Sequence, residues 1–323
     1  MAYKVSGTES IKNDKTVLFN NITATVRKTL RLGETSGYTS GGSTPSVVNT
    51  IDKFSFSADA NATDVGNLSQ TRGMAAGQSS GANGYTSGGE IDSFAQDQNT
   101  VDKFPFSSDG NATDVGNLTA ARAHVTGQSS DASGYASGGE SAYNTIDKFP
   151  FSSDANATDV GDLTAGRGYA SGQSSNVSGY TSGGYEPGGG DNNVIDKFSF
   201  SSDGNATDVG DLTVARWGVS GQNSDTHGYA SGGGSGPGSP VYNTIDKFPF
   251  SSDASASDVG DVTVARWGVA GQSSTQSGYV SGGDTLDVAT FNTIDKFPFS
   301  SDANATDVGD LTQARRYVAG QQV

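Results

Sequence analysis

Carboxylates and aromatic rings are the residues of this chain best placed to do chemistry, and they sit where the sequence varies. Glu90, Asp92, Phe94, Glu140, Tyr185, Glu186, Asp191, Asp284 and Asp287 fall in stretches 43–50, 90–100, 140–145, 185–194, 234–244 and 284–293. These stretches differ in length and content, while the sequence around them is nearly copied from one to the next. Acids beside rings suit a hydroxyl-rich ligand: the acids accept its hydrogen bonds and the rings cover its apolar faces. The nine residues are therefore candidate ligand contacts. Drift in unconstrained loops is the competing explanation.

Other groups point to structure rather than to reaction. Asp109, Asn111 and Asp114 recur as Asp59, Asn61 and Asp64 and offer oxygens of the kind Ca²⁺ takes, but without EF-hand spacing. One repeat has Ser255-Ala-Ser257 at Asn-Ala-Thr, which favours turn chemistry there over metal. Six Asp–Arg sets, such as Asp246 and Arg266, are expected to pair inside the repeats. Sixfold copying argues for a structural role, since catalysis normally needs one site. His124, expected in a strand, and His227, expected in a turn, hold non-equivalent repeat positions and make no nucleophile–base pair. There is no Cys, so thiolate and disulfide chemistry are absent. The expectation is a protein that is not an enzyme and has no cofactor or metal.

The elements that must position these residues come from a repeat. Its Ile/Val-Asp recurs at Ile51, Val101, Ile146, Ile195, Ile245 and Ile294, at intervals of 45 to 50 residues. Such a period marks stacked supersecondary units. Each unit holds four candidate strands. Strand a follows the arginine, as in Arg216-Trp-Gly-Val-Ser-Gly-Gln; strand b is Gly-Tyr-x-Ser-Gly-Gly; strand c is Ile-Asp-Lys-Phe-Pro-Phe; strand d is Asp-Val-Gly-Asp/Asn-Leu. Strand c places Ile and Pro on one face and two Phe on the other, which suits a sheet covered on both sides. Its Pro belongs at a bulge or strand end. Tyr143, Tyr242 and Phe291 are expected to begin strand c.

The repeats open with an unaccompanied strand b at Tyr38 and end with an unaccompanied strand a after Arg315. The fold class is therefore all-β: a six-bladed β-propeller over 37–323, closed when the C-terminal strand completes the first blade. All b–c stretches would then leave on one face together with the d–a links, a constant scaffold under divergent loops. Residues 1–36 lie outside the repeat. Their alternating Val, Thr and Ile predict a β-rich arm for attachment or oligomerisation, with a homotrimer as one form.

Charge narrows the partners. The net charge is −16. Residues 1–36 carry six cations and three acids, whereas the rest carries 13 and 32. Twelve of those 13 cations belong to the repeat itself, leaving Arg316 as the extra one. Such a surface neither neutralises nucleic-acid phosphates nor favours anionic membranes. Residues 1–25 hold no apolar run of signal-peptide type, so assembly in a cytoplasm is expected.

The ordered Tyr, Gly-Gly, Ile-Asp-x-Phe and Leu-Thr-x-Ala-Arg elements resemble the kelch-type propeller pattern over 37–323. Strand d departs from it, with Asp-Val-Gly where that family has Trp. Ser107-Ser-Asp109-Gly-Asn111-Ala-Thr113 resembles the Asp-box turn of sialidase-like propellers, with Asn in a Gly place. The opening Met-Ala-Tyr-Lys-Val-Ser-Gly-Thr resembles the start of bacteriophage tail-fibre proteins of marine type. That resemblance implies a virion component assembled in the host cytoplasm and displayed on the particle exterior. Its arm would dock on other virion proteins and its propeller would meet a host receptor or glycan. A decoration protein with a purely structural role and a propeller glycosidase are the alternatives.

Overall fold

The structure is a computed structural model that describes residues 32–91, 96–236, 240–285 and 289–323, with the backbone of 3–5 and 9–11. The described residues form no helix; they form six four-stranded antiparallel sheets. Blade 1 is built from Ala319–Gln322, Ser36–Ser40, Thr50–Ser55 and Thr63–Asn67 as strands a to d. Blade 2 follows in chain order with Ala76–Ser79, Asn83–Ser87, Thr100–Pro105 and Thr113–Asn117, and blades 3 to 6 repeat it. The ring is closed as expected: Ala319–Gln322 pairs antiparallel with Ser36–Ser40, with Tyr38 opposite Gln321. In the arm, Tyr3–Val5 pairs with Glu9–Ile11; the remainder of 1–31 lies outside the described residues.

The core lies between blades rather than within them. Tyr38, Ile51 and Leu68 of blade 1 pack on Phe104, Phe106 and Ala112 of blade 2. The closing seam has the same composition: Tyr279, Ile294 and Leu311 of blade 6 meet Phe54, Phe56 and Ala62 of blade 1. The two-faced strand c thus buries its Ile toward one neighbour and its Phe pair toward the other. Tyr279 stacks on Phe56 across the seam at 4.7 Å. The Pro of strand c is its last residue, as Pro105 shows, where a missing N–H costs no ladder bond.

Two positions explain the glycines. Strand a lines the axis, and a Cβ on Gly77 would come within 2.2 Å of the Gly320 carbonyl of the previous blade. Gly127, Gly172, Gly221, Gly271 and Gly320 meet the preceding strand a in the same way, so the six strands converge only without side chains there. After strand b, Gly41 turns at φ 63° beneath the Arg72 carbonyl, 2.4 Å from where a Cβ would stand.

Blades are also tied by charge. Each strand-c Asp is fully buried with the Arg that precedes strand a of its own blade: Arg72–Asp102 is 3.0 Å and Arg315–Asp52 is 2.9 Å. The pairing falls one repeat earlier than the sequence reading placed it. Asp246 binds Arg216, not Arg266, because the blade starts at the arginine and not at the Ile-Asp. The Ser or Thr three residues before each Arg donates twice to the same carboxylate, as Thr119 does to Asp147. On the rim, Lys53 reaches Asp109 of the next blade at 3.1 Å, and Asn111 accepts the Asn67 N–H at 3.0 Å. Ser255 accepts the Asp211 N–H in the repeat that lacks Asn, which explains why that exchange is tolerated. The Asp-box-like turns are thus engaged in joining blades.

Candidate functional site

The link from strand d to strand a decides what the b–c face presents. Strand a starts later than the sequence reading has it: three residues separate Arg315 from Ala319. The intervening residues turn through the left-handed region at Met74, His124, Tyr169, Gly218, Gly268 and Tyr317. The N–H of each donates to the carbonyl of its counterpart one blade earlier. His124 donates to Met74 at 2.8 Å, Tyr169 to His124 at 3.1 Å, Gly218 to Tyr169 at 2.8 Å and Gly268 to Gly218 at 2.9 Å. Tyr317 donates to Gly268 at 2.7 Å and Met74 to Tyr317 at 2.9 Å, which closes a ring of six bonds around the axis. His124 is therefore part of this turn and not of a strand, and His227 is the first residue of a strand b rather than a turn residue.

Bulky residues at positive φ are uncommon and point to a constraint from the surroundings. Here that constraint is the ring, and it presents aromatic side chains toward the middle of the b–c face. Tyr169 stacks on His124 at 3.4 Å and meets Trp217 edge-on at 5.1 Å. Trp217 meets Trp267 at 4.5 Å, Trp267 meets Tyr317 at 5.1 Å, and Tyr317 returns to His124 at 5.8 Å. This aromatic collar is half-exposed at Tyr169, Trp217 and Tyr317, and buried at His124 and Trp267. Beneath it, a polar axial well of about 130 Å³ runs between the six strands a.

The carboxylates around the collar come from the b–c loops. Each loop starts where its first residue is held to the incoming link, as Glu90 is bridged to Gly73 and Asp284 to Trp267. Glu90 and Asp97 are opposed in a short hairpin of Glu90–Ile91 with Gln96–Asp97. Glu90, Asp97 and Glu140 each bring a carboxylate oxygen within 4.8 Å of the others. Burial pushes the pKa of Asp97 up; burial and then the charge of Asp97 push Glu140 up. Glu140 Oε2 lies 3.4 Å from His124 Nε2. Burial lowers the His124 pKa to about 3, so the imidazole is neutral at ordinary pH. Three carboxylates with these oxygens and spacing could hold a divalent cation.

The nine sequence candidates divide. Glu90 and Glu140 come together on the collar. Asp284 is buried and bound by Arg316 at 3.0 Å, with the Thr290 hydroxyl at 3.2 Å. Tyr185, Glu186 and Asp191 form a separate hairpin on blade 4, where Tyr185 is exposed and Asp191 accepts the Gly236 N–H. Asp92, Phe94 and Asp287 lie outside the described residues. Tyr143, Tyr242 and Phe291 precede strand c, which starts at Thr145, Thr244 and Thr293, and their carbonyls accept the N–H of Arg167, Arg266 and Arg315.

Sequence reasoning missed Asp97, His124, Tyr169, Trp217, Trp267, Arg316 and Tyr317 as one group. The available signal was the two residues after each repeat arginine, the most variable positions inside the otherwise constant strand-a segment. No protein-family model matches this sequence, and no curated protein matches it.

Proposed function

We propose that this protein is a bacteriophage virion structural component, a tail or surface fibre whose propeller recognises the host surface, through a glycan or a protein receptor. The observation that carries this reading is the opposition of two faces. The chain enters the propeller on the a–b turn face, where Leu32 is buried and the Gly33 N–H bonds the Ser273 carbonyl at 2.8 Å. The variable b–c loops and the aromatic collar lie on the other face. An arm docked on virion partners would leave that second face pointing outward on the particle. The kelch-like order of motifs and the tail-fibre-like opening of the chain support the same reading. A half-exposed aromatic collar is the kind of surface that marks a binding site. The test is adsorption of the purified protein to candidate host cells or envelope glycans, repeated with the b–c loops exchanged between blades. Saturable adsorption lost on exchange supports recognition. Adsorption that never saturates leaves the decoration role, with its purely structural propeller.

One observation favours a second reading. Asp97 and Glu140 share a small volume, and the upward shift of Glu140 is what a general acid needs in a propeller glycosidase. Cleavage of an envelope glycan, lost in Glu140→Gln, would establish it.

A further inference from the structure

Six turns join strand c to strand d, and each carries an aspartate paired with the strand-c lysine of the previous blade. These aspartates, Asp59, Asp109, Asp154, Asp203, Asp253 and Asp302, have side chains 58% to 61% exposed. They differ in the residue that follows, which is Gly110 and Gly204 in blades 2 and 4 and alanine in the other four. The turn does not require either glycine. Neither lies at positive φ, and a Cβ on either would meet nothing within 4 Å. Both lie outside the strands, and the N–H of neither donates to a group among the described residues.

Asp-Gly is a dipeptide that can close on itself. The glycine nitrogen attacks Cγ of the protonated aspartate. A C–N bond forms, the amide proton and the side-chain hydroxyl leave as water, and a five-membered imide remains. Water then adds to one imide carbonyl. Opening at the former backbone carbonyl leaves the chain running through Cβ and Cγ, which is isoaspartate, with one more backbone atom and a carboxylate branch. One water is lost and one gained, so no other reactant is needed. A Cβ on the following residue crowds the attacking nitrogen and restricts its backbone; glycine lifts both constraints.

We infer that Asp109 and Asp203 are sites of spontaneous isomerisation to isoaspartate, and that this modification loosens two seams, blade 1 with blade 2 and blade 3 with blade 4. Each turn is what its blade presents to the blade before it. The Gly110 carbonyl lies 2.2 Å from where a Cβ on Gly66 would stand. Asn111 Oδ1 accepts the Asn67 N–H at 3.0 Å, and the Ala112 N–H donates to the Asn67 carbonyl at 2.8 Å. Gly204 meets Gly161, and Asn205 and Ala206 bond Asp162, in the same way. A backbone atom inserted just before these contacts displaces them together.

The fold sets aside a third candidate that the sequence offers. Asn83-Gly84 could form the same imide with ammonia leaving. Gly84, however, lies inside strand b, opposite Ser79 on one side and Phe104 on the other, with the Phe104 ring against it. Pairing on both sides holds that peptide extended. The inference does not rest on the recognition reading.

The test is to age the full chain in mildly acidic buffer below its melting transition and to map isoaspartate by mass spectrometry with electron-transfer fragmentation. The six turns serve as their own controls, because exposure and lysine partner are the same in all. Isoaspartate should build up at Asp109 and Asp203 about tenfold or more faster than at the four Asp-Ala turns, since only the following residue differs. Gly110→Ala should bring Asp109 down to the level of those four and leave Asp203 unchanged, and Ala155→Gly should raise Asp154 to the level of Asp203. Asn83 should stay unconverted over the same period. Equal rates at all six turns, indifference of Asp109 to Gly110→Ala, or conversion of Asn83 as fast as Asp109 would each overturn the assignment, the last by showing that unfolded chains are what react. Hydrogen exchange reads the seam. Aged wild type should lose amide protection at Asn67 and Ala112, and a Gly110→Ala, Gly204→Ala double variant aged beside it should keep that protection. Isoaspartate at Asp109 with both amides still protected would refute the loosening.

Discussion

Arg315 in the last repeat binds Asp52 in the first at 2.9 Å, with both side chains fully buried. The same guanidinium donates to the carbonyls of Thr50 and Thr39, so one residue grips strands c and b of blade 1 before strand a is laid beside them. Each of the other five arginines pairs with its strand-c Asp and donates to a strand-b carbonyl within a continuous stretch of chain; here the ends are more than 260 residues apart. Closure of the ring therefore relies on contacts that have no local help.

Deleting residues 315–323 should abolish the cooperative melting transition. It removes the buried pair and the strand that covers the Ser36–Ser40 edge. An unchanged calorimetric transition in the truncated protein would contradict the closure.

The buried and rim pairs should differ sharply in worth. Arg72→Met strands the Asp102 carboxylate, which keeps only its two bonds from Ser69, and should cost about 3–5 kcal/mol in denaturant unfolding. Lys53→Ala breaks an exposed pair with Asp109 and should cost under about 1 kcal/mol.

The axis should reject a single methyl group. Gly77→Ala drives a Cβ to 2.2 Å from the Gly320 carbonyl and should destabilise by about 1–3 kcal/mol or more. Gly110→Ala, with nothing within 4 Å of its Cβ, should be close to neutral in the same assay.

His124 should make the protein acid-sensitive. Its folded pKa of about 3 lies below the ordinary value of 6.5, so between these pH values the unfolded chain holds a proton that the folded chain does not. The stability from this group is complete above about pH 6.5 and is lost as pH falls toward 3, at up to about 1.4 kcal/mol per pH unit. Asp97 and Glu140, shifted upward, act in the opposite sense and flatten the slope. Comparing wild type with His124→Phe isolates the term: the variant should gain on wild type steadily below pH 6.5 in chemical denaturation. Parallel curves for the two would contradict the burial assigned to His124.

Much of this fold was legible in the sequence because it is written six times. Periodicity located the four strands, the alternation in strand c announced two covered faces, and the offset between first strand b and last strand a required closure. Local pattern failed where spacing alone carries no direction. Asp246 could be matched with Arg216 or Arg266 until the blade boundary was known, and His124 read as strand because nothing local announces a left-handed turn at a bulky residue.

The sequence by itself determined the sheet count, the ring and the face that varies, since these follow from hydrophobic period and repeat number. Only the tertiary structure decided which variable residues meet. Tyr169, His124, Glu140 and Asp97 belong to two links and two loops, separated by up to 72 residues along the chain. They converge because six links are hydrogen-bonded into one small ring at the axis, and convergence at an axis is a property of the closed circle that no single repeat contains.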